Sequence, residues 1–332
     1  MDTAKKPAST RLIGLDALRG IAALCVVLFH VRTIFPSTTE LSPRAYLAVD
    51  FFFVLSGFVM ARVYEPKLAK GMGGERFLKI RYMRLWPTIA FGCLLFIPFV
   101  LEAAGGLNAT FAKVFVVNML LLPALGEKEF FPLNLPAWSI FFELLANLAH
   151  GFVLWRLGTR GLIALAALCL IGLGWQVQAF GNLNLGAGAG EFLAGVLRVG
   201  FSYTLGIVLW RVWGERRVRV VAGFAALIAM PILFALPLGD QIPPWAFDLG
   251  FVAIASPLIL IGGLTIRSGG QSAALVGELS FPLYATHFPM LYIGRALNLG
   301  AAWSVLACLI MAGLVTWVQM SWRRHKSQQS TS

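Results

Sequence analysis

The stretch RGIAALCVVLFH, residues 19–30, decides the fold of this chain. Ten uncharged and mostly apolar residues separate Arg19 from His30, and Asp16 and Arg32 stand on either side. An apolar run of this kind predicts a helix that lies in lipid. Ionisable side chains at membrane depth are costly, so the two that bound the run are candidates for function.

The composition extends this prediction to the whole chain. Of its 332 residues, 58% are hydrophobic and only 13% are charged, whereas soluble domains usually contain about 25% charged residues. Long apolar runs follow one another almost from end to end, which leaves no room for a water-soluble domain. We therefore predict an all-α protein, a polytopic transmembrane helical bundle embedded in the lipid bilayer.

A helix needs about 20 mostly apolar residues to cross the membrane. Read with that length, the sequence predicts about ten spans, at 17–35, 46–64, 84–104, 137–157, 160–178, 190–211, 217–237, 245–264, 274–294 and 300–322. A further apolar stretch at 114–123 is too short to cross, so we predict a re-entrant or interfacial segment there. The corresponding domain division is a cytoplasmic segment 1–16, a transmembrane domain 17–322 and a disordered cytoplasmic tail 323–332.

The charge pattern predicts the orientation of the bundle. With both termini in the cytoplasm, 20 of the 27 basic residues fall in cytoplasmic segments and five in external ones, as the positive-inside rule requires. The net charge of +12 is explained by this asymmetry, and we expect no nucleic acid partner. The first apolar run lacks a cleavage site and is interpreted as a retained helix rather than a signal peptide.

Four cysteines stand singly in apolar runs, at Cys25, Cys93, Cys169 and Cys308. No pair has the spacing of a metal site. We therefore expect neither a disulfide nor a bound metal, and we expect the cysteines to pack as small apolar residues.

Arg19 and His30 are predicted to share one face of the first helix. Their separation of 11 residues corresponds to about 16.5 Å of rise and nearly three full turns. A polar stripe of this kind indicates a cavity on that side of the helix. The stretch alone is equally consistent with purely structural roles, in which His30 hydrogen-bonds to a neighbouring helix and Arg19 extends to the membrane interface.

Two other ionisable residues are predicted at the height of His30. Glu143 lies about 9 Å below the outer end of its span, and His287 lies about 20 Å above the cytoplasmic end of its own. Three groups that can transfer protons thus converge in the outer half of the bundle, which favours proton chemistry there.

Two short motifs allow a ligand in the bundle. Ser56 and Gly57 interrupt the second span near mid-membrane, either to let helices pack closely or to make room for a ligand beside this helix. Arg81 and Arg84 share one helix face and would form a clamp for phosphate, although basic residues in a cytoplasmic loop are also expected on orientation grounds alone.

Other polar residues in the spans are ambiguous. We expect a packing or hydrogen-bonding role for His150. Glu191 and Arg198 are seven residues apart, so they lie on one helix face and form either a structural pair or part of the cavity wall.

Together these pieces resemble the acyltransferase 3 family of bacterial membrane acyltransferases. The resemblance covers nearly the whole chain and is carried by Arg19 with His30 and by the motifs FFFVLSGF at 51–58, RYMR with Pro87 at 81–87, WSIFFE at 138–143 and LSFPLYATH at 279–287. Two positions depart from the usual pattern, because Asn147 and Phe281 stand where the family often has tyrosine.

The resemblance implies an O-acyltransferase of the bacterial inner membrane, with no permanently bound cofactor. Acyl-CoA, with acetyl as the expected acyl group, enters from the cytoplasm and donates to a hydroxyl of a surface carbohydrate, glycan precursor or glycolipid, as in polysaccharide modification. The implied catalytic residues are His30 as general base, Glu143 and His287. The implied donor contacts are Arg19, Arg81, Arg84, Ser56 and Gly57, and the implied acceptor contacts are Asp50, Trp138, Ser139 and Tyr284.

Buried histidine, glutamate and arginine residues also suit a proton-coupled transporter or exporter of a small metabolite or glycan. Against it, the two halves of the sequence show no matching pair of Gly/Pro-broken helices. A membrane O-acyltransferase of an unrelated helical family is a third reading, although such a protein usually has more spans.

Overall fold

The computed structural model describes residues 11–238, 242–266 and 270–329. No β-strand is found in these ranges, so the all-α prediction is confirmed for them. The α-helices are, in chain order, Ile13–Ile34 (α1), Ala48–Ala69 (α2), Gly74–Ala103 (α3), Ala109–Met119 (α4), Ala137–Phe152 (α5), Thr159–Phe180 (α6), Phe192–Trp213 (α7), Val220–Ala235 (α8), Pro244–Gly250 (α9), Ser256–Gly263 (α10), Gly270–Ala296 (α11) and Ala301–Gln329 (α12).

Each of the ten predicted spans coincides with helix, and α9 joins α10 through a π-helical segment at Phe251–Ala255. Seven of the described helical stretches are long and apolar enough to cross a membrane. Of the rest, α5 and α8 have only 16 residues each, and α11 has 27 residues but is less apolar. The chain is therefore a multi-pass helical bundle, and the count of ten spans stays a prediction.

The short apolar stretch forms α4, which has 11 residues. Its length of about 16.5 Å is roughly half the hydrocarbon thickness of a bilayer. Asn108 caps its first turn by accepting a hydrogen bond from the backbone N–H of Phe111 at 2.8 Å. This length suits the predicted re-entrant or interfacial segment, whose depth stays a prediction.

The predicted disordered tail needs correction where the structure describes it, whereas the cytoplasmic location of segment 1–16 stays a prediction. Helix α1 begins at Ile13, inside that segment, of which residues 1–10 lie outside the described residues. Helix α12 continues to Gln329, so residues 323–329 are helical rather than a disordered tail. A polar sequence without Gly or Pro can extend a helix beyond the apolar part that initiates it.

Helices α2 and α7 pack closely because both carry glycine at their crossing. A Cβ atom at Gly57 would collide with the carbonyl oxygen of Tyr203, and one at Gly206 would collide with that of Val54. Small residues at such crossings let helix backbones approach in membranes. Gly57 therefore packs against α7 and does not make room for a ligand, so its assignment to the donor site is wrong.

Helices α1, α11 and α12 lie side by side. Arg11, just before α1, and Arg323, near the end of α12, both contact the carboxylate of Glu278 on α11. Both ends of the described chain thus lie at one end of the bundle, here called the arginine-rich end. At the opposite end, Arg295 donates to the carbonyl oxygen of Ile34, the last residue of α1. The side of the membrane that each end faces stays a prediction.

Candidate active site

A cavity opens among helices α1, α2, α3, α5, α11 and α12. Its interior offers a volume of about 150 Å³ to the centres of water-sized molecules. Seven of the residues predicted for the site line it, namely Arg19, Ser56, Arg81, Arg84, Ser139, Glu143 and Tyr284. Five others do not line it, namely His30, Asp50, Gly57, Trp138 and His287.

Arginines dominate one part of the cavity wall. Arg19 comes from α1, Arg81 and Arg84 from α3, and Arg323 from α12. Arg84 is exposed, and it has no hydrogen bond or ion pair with any residue that the structure describes. Its guanidinium is therefore available to an anionic ligand that enters the cavity.

The carboxylate of Glu143 binds two neighbours in the cavity wall. Arg81 lies 2.8 Å from Glu143 Oε1, and the side chains of this ion pair are 6% and 14% exposed. The Ser56 hydroxyl donates to the same oxygen at 2.6 Å. Arg81 is thus partly committed to Glu143, whereas Arg84 is not, and the two are not equivalent halves of a clamp.

Glu143 was predicted at the height of His30, but its partners are Arg81 and Ser56 rather than His30. Helix α5, which carries Glu143, packs against α3 and α2, whereas the main neighbour of α1 is α11. Depth along a helix can be estimated from the sequence, but the direction in which a side chain faces its neighbours cannot. Glu143 therefore lines the cavity, and His30 does not.

Two hydroxyl groups line the cavity above Glu143. The Ser139 hydroxyl and the Tyr284 hydroxyl lie 2.6 Å apart, and each is also close to the carbonyl oxygen of Pro136, at 3.1 and 3.2 Å. The ring of Tyr284 contacts that of Phe52, which also lines the cavity, at 5.8 Å between centroids. This pair offers hydroxyl groups to a ligand that extends along the cavity from the arginines.

His30 and His287 form a direct pair between α1 and α11. The Nε2 atom of His287 lies 3.2 Å from the Nδ1 atom of His30. His287 is completely buried, and His30 is half-buried between the rings of Phe29 and Phe288. The two histidines that the sequence placed at one height therefore meet.

Backbone carbonyl groups determine which ring nitrogens carry hydrogen. His287 Nδ1 lies 2.8 Å from the carbonyl oxygen of Tyr284, and His30 Nδ1 lies 3.0 Å from that of Val26. A carbonyl oxygen only accepts, so in the neutral rings both Nδ1 atoms carry hydrogen and both Nε2 atoms hold a lone pair. The single hydrogen on His30 Nδ1 is then shared between two acceptors, the carbonyl oxygen of Val26 and His287 Nε2, and His30 Nε2 is left as the proton acceptor of the pair.

Asp50 and Trp138 belong to a buried ion-pair cluster. The completely buried side chains of Asp50 and Arg198 pair at 2.5 Å, and Ser202 donates to the same carboxylate at 3.4 Å. The guanidinium also lies over the ring of Trp138, 5.2 Å from its centroid. Asp50 has no surface to offer an acceptor, because Arg198 from α7 satisfies it, so its position supports a structural role instead.

The alternatives for Glu191 and His150 are also resolved by position. Glu191 accepts from the backbone N–H groups of Gly186, Ala187 and Gly188 at 2.7, 3.1 and 3.2 Å, and thereby fixes a loop. It does not pair with Arg198. His150 is completely buried, and its Nδ1 atom lies 3.1 Å from the Tyr203 hydroxyl, which agrees with the hydrogen-bonding role expected for it.

Sequence reasoning missed the part of the cavity wall that α12 contributes, namely Gln319 and Arg323. Glu278 on α11 also lines the cavity; as an ionisable residue in a predicted span it was a candidate for function, without an assigned role. Arg323 follows the last apolar run and was counted only as a charge that orients the bundle. The signal available was the spacing of Gln319 and Arg323, which places them on one face of the last helix.

Comparisons with known proteins agree with these features. A family model described as an acyltransferase domain, acyltransferase 3, matches residues 12–322. Protein 2 in the picA locus of Rhizobium radiobacter is 36% identical over 177 residues, which are 48% of this chain and 89% of that protein. The acyltransferase MdmB of Streptomyces mycarofaciens is 28% identical over 327 residues, which are 88% of this chain and 82% of that protein.

A third relative is longer than this chain. The O-acetyltransferase OatA of Staphylococcus aureus is 24% identical over 319 residues, which are 84% of this chain and 50% of that protein. This chain therefore aligns with half of its length. No solved structure gives a significant match to the chain.

Proposed function

This chain belongs to the acyltransferase family whose model matches residues 12–322, and from that premise we propose that it transfers an acyl group from cytoplasmic acyl-CoA to a hydroxyl group at the other side of the membrane. The observation that supports the proposal is a cavity with arginines in its wall that extends to Tyr284, whose ring and carbonyl oxygen contact His287 of the His30–His287 pair. A polyanionic donor and a proton acceptor are the two requirements of such a transfer.

The arginine-rich end suits the phosphate groups of the donor. Arg84 has an uncommitted guanidinium, and Arg19 is 28% exposed beside Asp16. Guanidinium groups bind phosphate through paired, charge-assisted hydrogen bonds. If this end faces the cytoplasm, as the distribution of basic residues predicts, acyl-CoA reaches it directly. The acyl-pantetheine arm then extends past Glu143 toward Tyr284.

The transfer step assigns a role to His30. Its Nε2 lone pair takes the proton of the acceptor hydroxyl as the hydroxyl oxygen attacks the thioester carbonyl carbon. The new C–O bond forms, the C–S bond breaks, and the departing CoA thiolate takes the proton from His30, which returns to its neutral form. His287 accepts from His30 Nδ1–H throughout, so it orients the base and stabilises the positive charge that His30 gains.

The acceptor and the location follow from the family resemblance. We propose a hydroxyl of a cell-surface carbohydrate, a glycan precursor or a glycolipid as the acceptor, acetyl as the acyl group, and the bacterial inner membrane as the location. The name O-acetyltransferase, given to one relative, supports acetyl transfer to oxygen. No cofactor besides the donor is required by this chemistry.

A proton-coupled transporter would also place histidine, glutamate and arginine in a membrane bundle. The family match and the relatives named as acyltransferases favour the enzyme.

Membrane vesicles provide the test. Acetyl-CoA labelled in its acetyl group is added outside inverted vesicles and outside right-side-out vesicles, each with and without this protein. We expect that the acetyl label is incorporated into esters that alkali cleaves, that this incorporation requires the protein, and that it occurs only with inverted vesicles. Label that is stable to alkali, or equal labelling from both faces, would contradict the proposal.

A further inference from the structure

The mouth of the cavity is partly formed by the last helix. Gln319 and Arg323 line the cavity from α12, and they are four residues apart on one helix face. Gln319 Nε2 donates to the Thr88 hydroxyl of α3 at 2.8 Å, which fixes this part of α12 against the helix that carries Arg84. Arg323 is thereby positioned at the rim rather than on the lipid-facing side.

Arg323 belongs to a chain of alternating charges at this rim. Its NH1 atom lies 3.3 Å from Glu278, and Glu278 lies 3.2 Å from Arg11. Arg11 in turn pairs with Asp16 at 2.5 Å, and Asp16 lies 3.7 Å from Arg19. Two carboxylates thus separate three arginines, two of which, Arg19 and Arg323, line the cavity.

The ion pair between Arg323 and Glu278 is of a kind in which an anionic ligand readily replaces the carboxylate. The side chains of Arg323 and Glu278 are 58% and 32% exposed, and exposed ion pairs are weak because water and salt screen them. A phosphate group presents more acceptor oxygens than a carboxylate and a larger charge, so it competes well for a guanidinium. Glu278 and an anionic ligand would therefore compete for the guanidinium of Arg323, and Glu278 is not its permanent partner.

We propose that Arg323 binds a phosphate group of the donor by exchanging its Glu278 partner for that phosphate, and that Glu278 weakens donor binding by competing for the arginine. The inference rests on the proposed function and adds the last helix to the donor site. It concerns the nucleotide part of the donor, because acetyl-pantetheine, which lacks the phosphates, offers Arg323 nothing to bind.

The test measures the dissociation constant of acetyl-CoA with the purified full chain in detergent. We expect Arg323→Gln to raise Kd about tenfold, the effect of losing one charge-assisted contact to a phosphate. Arg324→Gln is the matched control, because it removes the same charge from the next position, which does not line the cavity. Acetyl-pantetheine binding should be unchanged in both variants.

The variant Glu278→Gln gives an independent readout in the opposite direction. We expect it to lower the Kd of acetyl-CoA in the wild-type background, and to lower it less in the Arg323→Gln background, where Arg323 is no longer present to be released and only Arg11 is left as a partner of Glu278. A structural role for the ion pair would instead make both single variants weaken binding. That outcome, or an unchanged Kd in Arg323→Gln, would overturn the inference.

The inference and the proposed function fail in different ways. Wild-type protein that binds acetyl-CoA while Arg323→Gln binds equally well leaves the proposed function intact and removes Arg323 from the donor site. Wild-type protein that binds no acetyl-CoA overturns the proposed function and, with it, the role of Arg323.

Discussion

His287 Nε2 lies 3.2 Å from His30 Nδ1, and backbone carbonyl groups hold both rings in the tautomer that makes this a hydrogen bond. The relationship joins α1 to α11 beside Tyr284, which lines the cavity and whose carbonyl oxygen lies 2.8 Å from His287 Nδ1. It leaves one nitrogen, His30 Nε2, as the proton acceptor.

The hydrogen bond from His30 to His287 predicts a graded effect of substitution. His287→Phe removes the acceptor, so His30 is no longer held and kcat should fall by about 100-fold, the scale of a misplaced catalytic group. His287→Gln keeps an acceptor oxygen and should retain more of kcat. The KM for acetyl-CoA should change little in both variants. Equal loss in the two variants, or loss confined to KM, would argue for a merely structural histidine.

The buried pair of Arg81 and Glu143 predicts a loss of stability that a second substitution partly repairs. Arg81→Ala leaves a carboxylate that is 14% exposed without its cation and should lower the free energy of unfolding by about 3–5 kcal/mol. Adding Glu143→Gln should recover part of this loss. Thermal unfolding in detergent measures both changes. Additive losses in the double variant would show that the two side chains are not coupled.

The uncommitted guanidinium of Arg84 predicts a loss of donor affinity without loss of stability. Arg84→Gln should raise the Kd of acetyl-CoA about tenfold and leave the unfolding temperature unchanged. Arg76→Gln on the same helix is the control, since Arg76 is exposed but does not line the cavity. Equal effects of the two variants would show that Arg84 contributes only its positive charge and makes no specific contact with the donor.

The close crossing of α2 and α7 predicts that added methyl groups are not tolerated there. Gly57→Ala and Gly206→Ala should each destabilise the protein by about 1–3 kcal/mol, the usual cost of overpacking. Gly174→Ala is the control, because a Cβ at this position in α6 has nothing within 4 Å. A Gly57→Ala variant with normal stability but weakened donor binding would restore the ligand role that the structure removes.

The position of each helix along the chain could be predicted from the sequence, whereas its exact ends and its neighbours could not. Apolar runs located a helix at each of the ten predicted spans, and the helical repeat placed Arg19 and His30 on one face. The heights assigned to His30 and His287 also brought these residues to one level, since rise per residue is the same in every helix.

Contacts between segments that are far apart in the sequence could not be predicted from apolar runs and helical spacing. Asp50 pairs with Arg198, and Glu143 pairs with Arg81, over separations for which no local rule applies. Gly57 likewise had two interpretations until the backbone of α7 was seen against it. Arg323 escaped notice because a basic residue after an apolar run has an ordinary explanation, and only packing brings it to the cavity.

The most direct test of the account is the release of CoA from acetyl-CoA by purified protein, compared between the wild type and His30→Ala, with binding of acetyl-CoA measured in parallel. We predict that both proteins bind acetyl-CoA with similar Kd, and that release of CoA falls by about 100-fold or more in His30→Ala, the scale expected for loss of a general base. Release at the wild-type rate by His30→Ala would contradict the assignment of the base. Absence of acetyl-CoA binding by the wild type would contradict the acyltransferase function as a whole. The residues from Arg19 to His30 would then be better explained as a proton path in a transporter.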